Sequence, residues 1–235
     1  MSIIFLLSLL ILLTGIIFIA LSSFNIQWNF FLKAIHSAST TDRKIALTFD
    51  DGPHPDYTPQ VLRLLKKHGV QATFFCIGKH IQQHPQVVQE LQQQGHVVGN
   101  HSFTHASTID FHDRAAWITE IQHTDQAIKQ AIGQKPRFFR PPYGVTTPHL
   151  AKAIKDTGHT VIGWRVRPYD TLNRTPERIV SLLLRKTKPG DIILLHDTHE
   201  RIIPILEQLL PKLTEQKFEM VTVENLIQQH AYAQD

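Results

Sequence analysis

The chain has 235 residues, 42% of them hydrophobic, and 24 Lys and Arg against 20 Asp and Glu give a net charge of +4. That is enough apolar matter for one substantial core plus an appendage. The charges are scattered, with no long basic run and no basic patch interleaved with aromatics, which argues against nucleic acid as a partner.

Along the chain, Ile3 to Leu21 is almost wholly apolar, broken only by Ser8, Thr14 and Gly15. It is long enough to span a bilayer as a helix and longer than the apolar part of an ordinary signal peptide. No Lys or Arg precedes it, and the first basic residue is Lys33, so its orientation is weakly specified. We read residues 1–24 as a single membrane anchor. Cleavage near Ala20-Leu21-Ser22 is the alternative. Trp28, Phe30 and Phe31 would suit a membrane interface or a packing surface, and residues 25–41 read as a linker, marked by the small polar run 36–42 that overlaps its end. The remaining stretch, 42–235, forms one domain.

From Lys44 the pattern alternates. Short apolar runs at 45–49, 72–76, 96–100, 137–139, 160–164, 191–195 and 219–222 read as strands. The single cysteine, Cys76, falls in the second of these and reads as a core thiol; being alone, it excludes an intramolecular disulfide. Between the strands lie amphipathic stretches at 58–68, 80–94, 113–132, 147–157, 175–186, 200–216 and 223–232, several closed by glycine before the next strand. Repeated β/α units in about 190 residues predict an α/β fold, a compact β/α barrel, with an open doubly wound sheet as runner-up.

In such folds chemistry gathers at the C-terminal ends of strands. The first strand leads into Asp50-Asp51-Gly52-Pro53. Adjacent carboxylates there repel, and within a strand they would face opposite ways, but Gly52 and Pro53 break the strand and let both turn toward one cavity. The third strand is followed by His101-Ser102-Phe103-Thr104-His105, the fourth by Arg140-Pro141-Pro142-Tyr143-Gly144, the fifth by Arg165, Arg167 and Asp170, and the sixth ends in His196-Asp197. His101 and His105, four apart, would share a face of a helical turn. With one carboxylate of the Asp pair they make a three-ligand site of the open catalytic type, leaving the other carboxylate free as a base. Arg140, on a loop stiffened by two prolines, could pair with that carboxylate. His196, at the mouth of an apolar strand, reads as a general acid. Asp197 and His199 read as loop-capping residues.

These residues resemble the polysaccharide deacetylase family, also called the NodB homology domain or carbohydrate esterase family 4. Thr48 to Gly52 is similar to its first motif, His101 to His105 to its second, Arg140 to Gly144 to its third and Leu194 to Asp197 to its fifth, over roughly 42–230. The resemblance implies a distorted (β/α)7 barrel of the NodB type behind the N-terminal hydrophobic helix. It implies Asp51, His101 and His105 as ligands of a divalent metal, zinc foremost with cobalt or nickel as substitutes. Asp50 would be the base, Arg140 its orienting partner and Tyr143 the backbone oxyanion donor. His196 would be the acid, and Leu194, Pro141, Trp164 and Asp170 would belong to the substrate pocket. The fourth motif departs: Arg167 stands about where the family carries a supporting Asp, and Asp170, three residues on, is the candidate to replace it. The implied reaction is removal of N-acetyl groups from an envelope glycan (peptidoglycan, a chitin-like oligosaccharide or an exopolysaccharide), giving amine and acetate. A deacylase of a lipid-linked sugar, an O-acetyl group or a non-sugar amide is the alternative within the fold. The competing classes are an iron(II) facial-triad enzyme, disfavoured by the β/α alternation, and a non-catalytic glycan-binding module. The implied location is a single membrane pass with the catalytic domain outside the cytoplasm, or a secreted or periplasmic enzyme after cleavage. No obligate protein partner is implied.

Overall fold

The structure, a computed structural model, describes residues 3–234. The apolar N-terminus forms α1 (Ile3–Phe24), exposed along its length except at Ser22, which is buried, and Ser23, which is partly so. Among the described residues it is the one helix long and apolar enough to cross a membrane, a test that a signal sequence also passes. Trp28 and Phe30 are exposed and lie against Phe18 of α1, with ring centroids 6.1 and 5.3 Å away.

The barrel is built from β1 (Ala34–Ile35), β2 (Lys44–Asp50), α2 (Tyr57–Lys67), β3 (Thr73–Cys76), α3 (Gly78–Gln83), α4 (Pro85–Gln93) and β4 (Val97–Asn100). It continues through α5 (Arg114–Ile132), β5 (Phe138–Phe139), α6 (Pro148–Thr157), β6 (Thr160–Ile162), α7 (Pro176–Lys186) and β7 (Ile192–His196), and closes with α8 (Ile202–Glu215), β8 (Glu219–Val221) and α9 (Val223–Ile227). All strand pairs are parallel, in the order β1-β6-β5-β4-β3-β2-β7, with β8 beside the start of β2. A parallel bridge from Val166 to Ile193 and a hydrogen bond from the Ile192 N–H to the His36 carbonyl carry the chain across the gap between β6 and β7. The result is the expected distorted β/α barrel.

Parity along β2 sets the site. Ile45, Leu47 and Phe49 join the outer core with α2 and α8, while Ala46 belongs to the inner one with Phe75, Phe138 and Ile192. By the same alternation Thr48 and Asp50 face inward. Both are buried: burial on both faces is what makes such a parallel strand read as a continuous apolar run.

Four expectations need correction. Residues 25–41 are not a free linker. Ala34 and Ile35 pair with Val161 and Ile162, Ile26 is buried beside Trp164 and Leu194, and the Gln27 side chain donates to the Trp164 carbonyl at 2.9 Å. A two-residue strand is too short to show a periodicity. The stretch 80–94 is two helices, because Pro85 cannot continue the first and starts the second. The last helix stops at Ile227, where Gln228 turns left-handed (φ 54). His101 to His105 is a loop and not a helical turn, with Ser102 (φ 64) and His105 (φ 50) both left-handed.

Candidate active site and metal centre

Asp50 closes β2 and His196 closes β7, and the register pairs them directly. Asp50 accepts a hydrogen bond from Arg140 Nη1 at 2.6 Å. Arg140 is fully buried: Nη1 also donates to Thr48 Oγ1 (2.7 Å), Nε to the Ile162 carbonyl (3.0 Å) and Nη2 to the Gly163 carbonyl (2.9 Å), and its guanidinium lies over the Phe75 ring. Four of its five N–H donors are met in a rigid frame, so the carboxylate it grips has a fixed position and a fixed counter-charge.

Asp51, one residue on, is left-handed (φ 73). This turn brings both carboxylates to the same cavity. Asp51 Oδ1 lies 3.3 Å from His101 Nε2 and 3.3 Å from His105 Nε2. Burial pushes the Asp51 carboxyl up, but the hydrogen bond and charge of His101, followed by His105 and His196, hold it well below the usual carboxylate range. Burial and the neighbouring His101 charge lower His105 to about 4, so it presents a neutral, ligating imidazole. The three donor atoms lie within 4.8 Å of one another. His101 Nδ1 donates to the Arg140 carbonyl at 2.8 Å, which fixes a proton there, so that once Nε2 gives up its own proton to a cation its lone pair faces the other donors. Two imidazoles and a carboxylate, open on one side to a cavity of about 180 Å³, fit a divalent cation.

On the opposite side, His196 Nδ1 donates to Asp170 Oδ1 at 3.0 Å and its backbone N–H donates to Asp170 Oδ2 at 2.8 Å. Burial pulls the imidazole down, but the hydrogen bond and charge of Asp170, followed by Asp50 and Asp51, push it up to about 9. His196 Nε2 points back toward Asp51 Oδ2, 4.0 Å away.

Of the sequence-derived pocket residues, Leu194 and Trp164 line the cavity. Asp170 does not. It stands behind His196, fully buried. Pro141 is not among the lining residues either: it is buried at the start of the short 142–144 turn, so its place is in the loop frame. Tyr143 is left-handed (φ 57), its ring tilted against that of His105 with centroids 4.6 Å apart and its hydroxyl donating to the His105 carbonyl. Asp197 accepts from Thr58 Oγ1 inside the core, in keeping with a structural role, and burial pushes its carboxyl up to about 7.

Several supporting residues escaped the sequence reading. Glu120 of α5 accepts from the N–H groups of Phe103 and Thr104 and from the Thr104 hydroxyl, tying down the loop between the two histidines. The Asn100 side-chain oxygen accepts from the Ser102 N–H. His80 meets the Asp51 carbonyl at 2.8 Å. In sequence Glu120 is one more polar residue on an amphipathic helix, and nothing marks it out until its burial is seen. Arg167, Thr171 and Gly144 complete the cavity wall.

A family model described as polysaccharide deacetylase matches residues 37–162. A peptidoglycan-N-acetylglucosamine deacetylase of Bacillus cereus is 35% identical over 191 residues, covering 79% of this chain and 89% of that protein. A chitooligosaccharide deacetylase of a Bradyrhizobium species is 34% identical over 198 residues, covering 76% of this chain and 88% of its own. Among solved structures, the peptidoglycan N-acetylglucosamine deacetylase Bc1960 superposes with a TM-score of 0.80 at 28% identity, over 84% of this chain and 94% of that one.

Proposed function

Because this chain belongs to the polysaccharide deacetylase family, we propose that it hydrolyses N-acetyl groups of a cell-envelope glycan to free amine and acetate, with Asp50 as base and His196 as acid. One observation carries the assignment. Asp50 and His196 end adjacent strands next to the Asp51–His101–His105 cluster, and each is locked to an opposite partner, Arg140 for the carboxylate and Asp170 for the imidazole. A carboxylate and an imidazole at one cavity, each gripped by a partner of opposite charge, are what paired base and acid catalysis requires.

A divalent cation held by Asp51, His101 and His105, zinc by preference with cobalt or nickel as substitutes, would supply Lewis acidity to the amide carbonyl and acidify a water beside it. Asp50 takes the proton of the attacking water. The Tyr143 N–H donates to the developing oxyanion. His196 passes its Nε2 proton to the departing amine, and Asp170 stabilises the imidazolium beforehand. Leu194 and Trp164 wall the acetyl group. The N-terminal helix anchors the barrel domain, β1 included, on the outer side of a membrane, where an envelope polymer is within reach.

The test uses the full chain in detergent, since a fragment starting near residue 40 would lose β1. After chelation, acetate release from peptidoglycan and chitin oligomers should return on adding zinc or cobalt. Asp50→Asn should lower kcat about a thousandfold with bound metal unchanged. Near-full hydrolysis by Asp50→Asn, or metal-independent acetate release, would overturn the assignment.

A further inference from the structure

Each charged group lining the catalytic cavity has a counter-charge in contact except one. Asp50 has Arg140, Asp51 has His101, and His196 has Asp170. Arg167 forms no ion pair among the described residues, and its Nε is buried without an acceptor. Rings hold it in place: its guanidinium carbon lies 5.4 Å from the Trp164 ring centroid and 5.0 Å from that of Tyr169, itself left-handed (φ 58). Cation–π contacts position a guanidinium without neutralising it, and stacking leaves its edge donors free for an oxyanion.

Its surroundings add positive charge. The segment 165–174 carries Arg165, Arg167 and Arg174 against one carboxylate, Asp170, already engaged by His196 and His199. Arg165 faces Asp191 at 3.4 Å. Arg167 and Trp164 also form the wall between the catalytic cavity and a second one of about 570 Å³, bounded further by Arg165, Lys186, Gln27 and Trp28. A group bound on the Arg167 side therefore sits next to the acetyl group being cleaved.

We propose that Arg167 is a specificity-determining residue that binds an anionic substituent, carboxylate or phosphate, carried by the glycan beside its N-acetyl group. The inference rests on the deacetylase reading and narrows its substrate class to acidic glycans. A fork of parallel N–H donors on an oxyanion provides both charge and geometry, and a bond of that kind is worth about a tenfold preference or more.

The experiment compares three glycans with the full chain in detergent: one bearing a lactyl-ether carboxylate, the same glycan with that carboxylate converted to a methyl amide, and a sugar phosphate. Wild type should favour at least one anionic form over the amide by about tenfold in kcat/KM, expressed in KM. Arg167→Gln should bring that ratio close to one, and Arg167→Lys should restore part of it. A wild-type ratio near one, or an equal loss on charged and neutral glycans in Arg167→Gln, overturns the proposal. Calorimetric titration with the same compounds decides independently of turnover. If no glycan is hydrolysed, the deacetylase reading fails, while saturable binding of an anionic form that Arg167→Gln abolishes still upholds the anion site. Equal or absent binding of charged and neutral forms refutes it.

Discussion

At the floor of the barrel, where helices hand over to strands, the chain turns on left-handed glycines such as Gly133 (φ 75) after α5 and Gly158 (φ 73) after α6. At the rim, where strands hand over to loops, it turns on Asp51 (φ 73), Ser102 (φ 64), His105 (φ 50), Tyr143 (φ 57) and Tyr169 (φ 58). Lys217 (φ 60), before β8, is a non-glycine exception at the floor, and Gly144 (φ 73), in the cavity wall, is the glycine exception at the rim. The same backbone conformation is cheap in one place and costs of order 1 kcal/mol per residue in the other. The residues that bear the cost carry, or stack against, the side chains of the site. A glycine could make each turn and could hold no metal.

The two ends also treat buried histidines differently. His96, just before β4 at the floor, is 4% exposed, packs edge-on to Phe74, and accepts from the Ala72 N–H through Nδ1. With no carboxylate beside it, burial lowers it to about 4. His196 at the rim is comparably buried but has Asp170, and stands at about 9. Depth alone neutralises an imidazole, and a positioned carboxylate reverses the sign.

The largest effect that would sharpen this contrast belongs to His96. Its folded pKa lies below the unfolded value of about 6.5. Its contribution to stability is therefore complete above pH 6.5 and is lost as pH falls from 6.5 through 4, amounting to about 3 kcal/mol at the acid end. His96→Gln keeps an acceptor for the Ala72 N–H but cannot titrate. Thermal midpoints of the two proteins should diverge between pH 7 and 4, with the variant flatter. Parallel curves would mean that the floor histidine is charged after all.

Next comes Asp170→Asn, which leaves a hydrogen-bond partner for His196 but removes the charge. Since Asp170 raises His196, its loss moves the imidazole down from about 9 toward neutrality. The protonated acid then disappears at lower pH. The alkaline limb of the kcat profile should shift downward, with kcat at pH 8 falling about ten- to a hundredfold. Metal content should hold steady. An unmoved limb would separate Asp170 from proton transfer and leave it a purely structural partner.

How much of this was legible in the sequence follows from the same contrast. The Asp50-Asp51 pair and the two histidines were readable because chemistry placed unusual residues directly after apolar runs. The β2 parity that aims Asp50 inward was not readable, because a strand buried on both faces reads as a continuous apolar run. The loop form of His101–His105 was not readable. It depends on Glu120, fifteen residues past His105, and on Asn100, whose hydrogen bonds outbid a helical turn. Asp170 was only a candidate for the supporting acid, because three residues of displacement along a loop can be judged only once the loop is folded. The pairing of Ala34 and Ile35 with β6 is a long-range event with almost no local signal.

The smallest expected effect tests the backbone argument itself. At Gly133 a Cβ would meet nothing within 4 Å, so Gly133→Ala should cost only the left-handed conformation, about 1 kcal/mol, seen as a lower thermal midpoint with kcat/KM unchanged. Ser102→Gly is its mirror image at the rim. It releases a strain of similar size but removes the Oγ that accepts from the His105 N–H at 3.2 Å, itself worth about 1 kcal/mol. The two nearly cancel, so stability should stay level while His105 loses its anchor and metal affinity falls about tenfold. If Ser102→Gly lowered stability as Gly133→Ala does and left metal affinity untouched, the rim backbone would not be strained on behalf of the site, and its left-handed residues would be ordinary turns that happen to lie near it.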